Sequence, residues 1–198
     1  MNYYAVRVGR TTGVLPTWEA CKAAVHGYKG AEYKKFTSEA EAQAYVQGID
    51  AKKVKDQVSE TGEGELIAYV DGSYRLSDST FSYGYVLTDG TIIIEEGSKR
   101  FSDADASLRN VAGEIRGAMR AMERAIELGY RKLYLHYDYK GIEAWATGDW
   151  RANKTATKAY RDSYQALKGR LVVEFIKVEA HTGVALNERA DVLAKEAQ

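Results

Sequence analysis

The stretch L66-I-A-Y-V-D-G-S73 decides how the longer part of this chain folds. An uninterrupted apolar run closed by Asp-Gly reads as a buried strand over 65–71. That reading puts Asp71 at the strand's end. Working outward, residues 81–88 and 91–98 read as two more strands joined by the tight Asp89-Gly90 turn of a hairpin. A long helix follows, with Val111, Ile115, Ala118, Met122 and Ile126 on one face and Gly129 closing it. A strand over 132–137, helices near 140–147 and 155–168, a strand over 171–178 and a last helix complete the pattern. The order βββαβααβα with buried strands predicts an α/β fold, a mixed sheet covered by helices.

Four acids fall where such a fold could gather them. Asp71 and Asp138 each close an apolar run, the second being L133-Y-L-H-Y-D138. Glu114 lies in the first half of the long helix, preceded by Gly113 and sharing a flank with Gly117 and Ala121. Small residues there would let the helix press on the sheet and bring the carboxylate to the strand ends, where α/β proteins form their sites. In the last helix the predicted buried stripe is Leu186, Ala190, Leu193, Ala194 and Ala197, with Asn187, Glu188 and Asp191 on another flank. Carboxylates gathered in one place repel unless cations intervene, so their convergence implies a hard-cation site suited to phosphate chemistry. Spacing alone leaves open that they are four ordinary surface acids.

The first part of the chain has shorter elements. Residues 3–8 read as a strand and G9-R-T-T-G13 as a turn. Thr17 is a helix N-cap, with Trp18, Cys21 and Val25 expected on one face and Gly27 at the end. A short strand, E32-Y-K-K-F36, precedes a capping box of Ser38 and Glu41 and a helix with Ala42, Tyr45 and Val46 inward. Residues 1–48 thus form a small unit, and the polar residues 49–63 read as a linker to a larger unit over 64–198.

Bulk properties exclude several classes. The 198 residues carry 28 basic and 28 acidic side chains, a net charge of +0, and are 45% hydrophobic. That balance does not announce a nucleic-acid binder, but it is uneven: Arg7, Arg10, Lys22, Lys29, Lys34 and Lys35 face only Glu19 and Glu32 in residues 1–36. No apolar run is long enough to span a membrane. The start, M1-N-Y-Y-A-V-R-V8, carries no export signal, so a cytoplasmic protein is expected. A single cysteine, Cys21, rules out an internal disulfide, and three scattered histidines argue against a Cys/His zinc site.

The motifs Y69-V-D-G-S73, N110-V-A-G-E-I-R-G-A-M-R-A121, Y137-D138 and A180-H-T-G-V-A-L-N-E-R-A-D-V-L-A194, in that order, resemble type 1 ribonuclease H over residues 64–198. The resemblance implies a ribonuclease H-like five-stranded mixed sheet flanked by helices. It implies an endonuclease that hydrolyses the RNA strand of RNA–DNA hybrids with two Mg²⁺ ions, Mn²⁺ being a substitute, and leaves 5′-phosphate and 3′-hydroxyl ends. By the same resemblance Asp71, Glu114, Asp138 and Asp191 are metal ligands and Glu188 is an auxiliary acid. His181 is a mobile residue aiding proton movement or product departure. Gly72 and Ser73, with Glu114, would read 2′-hydroxyl groups, and Asn110 would touch nucleic acid. Val111 replaces a second asparagine common in the family, Tyr139 stands where serine is frequent, and the long basic handle of some members is missing. Trp145 is expected to pack between helix and sheet, while Trp150 is left open as a DNA-channel residue.

Residues 1–48 resemble the small α+β, three-stranded hybrid-binding domain of many such enzymes, related to a segment of a plant-virus inclusion protein, through Y4-A-V-R-V-G-R-T-T-G13, T17-W-E-A-C21 and Y33-K-K-F36. That implies contact with the DNA strand by Trp18 and Tyr33 and with phosphates by Lys34 and Lys35, chemistry that aromatic faces and ammonium groups supply in general. Phe36 is expected in the core. The expected protein is a monomer. The alternatives are a non-catalytic binder of RNA–DNA hybrid or double-stranded RNA, and a DNA phosphotransferase of the integrase or resolvase type.

Overall fold

The computed structural model of the chain describes residues 2–37, 39–46, 61–178 and 184–198. They divide into two compact units, Met1–Ser59 and Glu60–Gln198. No helix among the described residues is long and apolar enough to cross a membrane.

The first unit holds β1 (Tyr3–Val8), β2 (Gly13–Leu15), α1 (Trp18–Val25), β3 (Glu32–Phe36) and α2 (Glu39–Val46). Its antiparallel sheet has the order β2-β1-β3. Strand β2 starts where the turn after β1 ends, at Gly13 with φ +130°. Thr17 caps α1, its Oγ1 accepting from the Ala20 N–H at 3.2 Å. The core is Val6, Cys21, Ala24 and Val25. At the first turn of α1 the ring of Trp18 meets those of Tyr4 and Tyr33, and Trp18 is 43% exposed. Phe36 is corrected from the expected core position, since it is only half-buried, against Tyr45. Ser38, the Glu41 side chain and residues 47–60, most of the expected linker, fall outside the described residues.

The second unit holds β4 (Glu65–Arg75), β5 (Thr80–Thr88), β6 (Ile93–Phe101), a 3₁₀ turn (Ala104–Leu108), α3 (Asn110–Glu127), β7 (Lys132–Tyr137), α4 (Gly141–Thr147), α5 (Thr155–Leu167), β8 (Val172–Lys177) and α6 (Ala185–Glu196). The five-stranded sheet has the order β6-β5-β4-β7-β8. The β4–β5 and β5–β6 pairs are antiparallel, while β4–β7 and β7–β8 are parallel. Thr61 also belongs to this unit, donating its N–H to the Asp89 carbonyl at 3.2 Å.

Strands β4 and β6 differ most in their bounds from the sequence reading. Strand β4 runs on past Asp71 to Arg75, because β5 stays paired with it as far as Arg75↔Thr80. Strand β6 begins at Ile93 because the Asp89 carboxylate accepts from the N–H groups of Thr91 and Ile92, widening the turn around Gly90, whose φ is +88°.

Alternation along the strands sends Leu66, Ala68, Val70, Tyr83, Tyr85, Leu133, Leu135 and Tyr137 to one face. There they pack on Ile115, Ala118 and Met122 of α3 and on Ile142 and Tyr160. Helix α6 covers β4 and β5 with Leu186, Ala190 and Ala194 buried. Both layers come within backbone contact of the sheet. A Cβ on Gly113 would lie 2.0 Å from the Ser82 carbonyl oxygen, and one on Gly72 would lie 2.1 Å from that of Asn110. Because no flexible side chain stands there to yield, Gly113→Ala is expected to destabilise the protein by about 3 kcal/mol or more, at the upper end of overpacking. Urea denaturation reads this, and a loss under about 1 kcal/mol would contradict so close an approach.

Candidate active site

The parallel pairing of β4 with β7 ends at Tyr69↔His136. Two further steps in the same register set Asp71 beside Asp138, one still within β4 and the other just past β7. Helix α3 supplies the third acid. Its glycine contact with β4 places Glu114 over the same point, and one oxygen from each of Asp71, Glu114 and Asp138 lies within 4.8 Å of the others. The Asp138 N–H donates to Glu114 Oε1 at 3.4 Å, and the Gly72 N–H to Asp71 Oδ1 at 2.6 Å. Glu114 is 1% exposed, and its Oε2 has no hydrogen-bond partner among the described residues.

Such a group is costly in a bare protein. Burial raises the Asp71 carboxyl to about 7, helped by the charges of Asp138 and Asp191 and opposed by the Gly72 N–H and Lys195. Glu114 is raised well above its ordinary range, first by burial, then by the Asp138 side chain through hydrogen bonding and charge and by the charge of Asp71, with the Asp138 N–H opposing. Asp191, on α6, is near enough to act on Asp71 but stands outside the tight triplet, its Oδ2 bonded to Lys195 Nζ at 2.6 Å. An all-carboxylate donor set, one oxygen of which is buried without a partner, fits a hard divalent cation and suits zinc or copper poorly.

The remaining candidates lie around this triplet. Gly72 and Ser73 follow Asp71 within β4, and Asn110 opens α3 with an exposed side chain. Glu188 is exposed at the start of α6. Asn187, expected beside it, is instead buried with Leu186, only 6% exposed, because the inward face of α6 is broad enough at its first turn to take both. His181 lies outside the described residues. Trp145 is half-buried and Trp150 is 41% exposed, and the two rings meet edge to face at 6.0 Å with Tyr139 close to both. In the first unit Trp18 and Tyr33 form an exposed tilted pair with centroids 6.1 Å apart, and Lys34 and Lys35 are exposed on the same strand as Tyr33.

Sequence reasoning missed Arg109. It sits at φ +54° without being glycine, directly before α3, and its guanidinium lies over the Tyr74 ring at 5.9 Å. Backbone strain of this kind concentrates at functional sites, and no sequence signal marks a non-glycine residue held at positive φ.

A mixed sheet gathers three carboxylates where they could hold a metal ion, and comparison with known proteins gives the family. The profile of the RNase H family matches residues 63–198, and that of the Ribonuclease H1 N-terminal domain matches residues 2–46. The chain therefore belongs to the ribonuclease H family of endoribonucleases. Ribonuclease H1 of Homo sapiens is 29% identical over 98% of this chain and 88% of that protein. The crystal structure of RNase H1 from Halobacterium salinarum superposes with a TM-score of 0.58 at 29% identity, covering 67% of this chain and 96% of that one. LC11-RNase H1, solved in complex with an RNA/DNA hybrid, shares the fold with a TM-score of 0.57 at 22% identity, covering 67% of this chain and 95% of that one.

Glu114→Gln replaces the buried carboxyl with a neutral amide of the same shape. In metal-free buffer it is expected to stabilise the protein by about 1 kcal/mol, the scale of a relieved unpaired polar group. The stabilisation that Mn²⁺ gives the wild type should shrink in the variant. Paired urea titrations with and without Mn²⁺ read both effects, and a variant less stable than wild type without metal would contradict the account of Glu114.

Proposed function

We propose that the protein cuts the RNA strand of RNA–DNA hybrids endonucleolytically, leaving 5′-phosphate and 3′-hydroxyl ends, and acts as a cytoplasmic monomer. The observation that carries this reading is the convergence of Asp71, Glu114 and Asp138 with one Glu114 oxygen buried and unpartnered. In a family of endoribonucleases, such a group is best understood as half of a site that a cation completes.

Asp71, Glu114, Asp138 and Asp191 would hold two Mg²⁺ ions, with Mn²⁺ as a substitute. Bound there, the ions supply Lewis-acid stabilisation of the attacking and leaving oxygens in an in-line displacement. The protein's own part is orientation. Asp71 and Asp138 are fixed by strand register, and Glu114 by the glycine contact under α3. The backbone of Gly72 and Ser73, with Glu114, would take the 2′-hydroxyls and so select RNA from DNA. Asn110 at the head of α3 would meet the hybrid. Glu188, exposed one turn before Asp191, would act as an auxiliary acid, and His181 would help move a proton or release product.

Residues 1–48 are proposed as a hybrid-binding domain and 49–63 as the linker to the catalytic domain over 64–198. The exposed Trp18–Tyr33 pair supplies a surface for sugar and base, and Lys34 and Lys35 supply charge for the backbone. Tethering raises the effective concentration of hybrid at the catalytic domain.

Cleavage of an end-labelled hybrid in Mg²⁺ tests this. Cutting of the RNA strand alone is expected, falling roughly 10²–10³-fold in Asp71→Asn, the scale of losing one preorganised charge-stabilising group. On long hybrids Trp18→Ala is expected to raise KM about tenfold with kcat unchanged, since one stacking contact contributes about 1–3 kcal/mol. Tight binding without cutting in Mg²⁺ and in Mn²⁺ would instead establish a binding module.

A further inference from the structure

Helix α6 brings Asp191 to the site, and a set of polar contacts ties its last turns to β5 and β6. Ser82 Oγ donates to the Ala194 carbonyl at 2.6 Å in a buried contact. Arg100, the cross-strand partner of Ser82, donates from Nε to the Ala197 carbonyl at 2.8 Å and from Nη2 to the Lys195 carbonyl at 3.1 Å. Its Nη1 donates to Thr80 Oγ1 at 3.0 Å, and its own N–H donates to the Gln198 carbonyl at 3.2 Å. Carbonyls of a last helical turn have no donors within the helix, and a cation there also complements the negative end of its dipole.

Nearer the middle of α6 the helix rests on bare backbone. A Cβ on Gly84 would lie 2.2 Å from the Ala190 carbonyl oxygen and 2.6 Å from the Ala194 nitrogen. Gly84 is itself the cross-strand partner of Asp71. Beside this contact Arg189 makes a two-pronged pair with Glu96 of β6, at 2.9 and 2.8 Å. Helix α6 is thus pressed on Gly84 at Ala190 and clamped by Arg100 at its end, with Asp191 next to the pressed point. The clamp also reaches Asp191 by a second route, because the Lys195 whose carbonyl Arg100 holds is the residue whose ammonium binds Asp191.

We propose that Arg100 is a positioning residue for Asp191: braced on Thr80, its planar fork sets the tilt of α6 about the Gly84 contact, and with it the reach of the Asp191 carboxylate toward Asp71 and the affinity of the site for divalent cations. The proposal rests on the reading of Asp191 as a metal ligand. Arg100 touches neither cation nor nucleic acid. It acts through two carbonyls and a hydroxyl held in fixed directions, and lysine, a point charge on a flexible stem, cannot reproduce that fork.

The test uses the full chain and two readouts, calorimetric binding of Mn²⁺ to the metal-free protein and Mg²⁺-dependent cleavage of hybrid. For Arg100→Ala, Mn²⁺ affinity is expected to fall about tenfold, as when outer partners of metal ligands are removed. The Mg²⁺ concentration for half-maximal cutting should rise by a similar factor while KM for hybrid stays constant. Arg100→Lys should restore thermal stability more than metal affinity. Arg124→Ala, which breaks the Arg124 pairs with Glu95 and Glu127, serves as a stability control and should leave both metal readouts at wild-type values. Should Arg100→Ala not fold, Thr80→Val removes the brace, together with the Thr80 hydroxyl's bond to Asp78 at 2.7 Å, and should shift both readouts the same way by a smaller factor. Wild-type Mn²⁺ affinity in Arg100→Ala, or in Thr80→Val where only that variant folds, would overturn the proposal. Asp191→Asn separates the two levels: wild-type Mn²⁺ affinity in that variant would overturn the reading of Asp191 itself.

Discussion

Backbone contact between α3 and β4 is the constraint on which the site depends. Gly72 and Gly113 let helix and strand meet with no side chain between them, so the helix comes low enough for Glu114 to enter the space beside Asp71 and Asp138. A methyl group at either glycine would lift the helix and take Glu114 with it. The same closeness excludes water from Glu114, which is why its carboxyl is raised and one oxygen lacks a partner. Catalytic placement and electrostatic frustration have one cause, and a divalent cation is the natural remedy for the second.

The sheet repeats the device with α6. Gly84, paired across the strand with Asp71, admits the backbone of α6, and Ser82 and Arg100 hold that helix by its last carbonyls. The central strand therefore carries a fixed carboxylate with a helix pressed close on each side, each bearing one more acid. Sites built on rigid elements hold geometry better than sites on loops, and among the described residues the acids of this one come from a strand, a strand end and two helices.

Much of this was legible in the sequence. Apolar runs marked β4 and β7, and a parallel register between them is enough to align Asp71 with Asp138. Gly113 and Gly117 beside Glu114 marked the close-packed face of α3. The rest depended on tertiary context. The extension of β4 to Arg75 is imposed by pairing with β5, because Gly72 and Ser73 carry no strand preference of their own. Asn187 and Arg109 carry no local signal, one being a polar side chain drawn into the broad base of α6 and the other a residue held at positive φ by its neighbours.

The site stands or falls on whether its carboxylates hold divalent cations. A crystal structure of the full chain grown with Mn²⁺, with anomalous scattering used to locate the metal, tests it most directly. Two peaks about 3.5–4 Å apart, among Asp71, Glu114, Asp138 and Asp191, are the expected result. Density showing no manganese there, with Glu114 still buried and unpartnered, would contradict it.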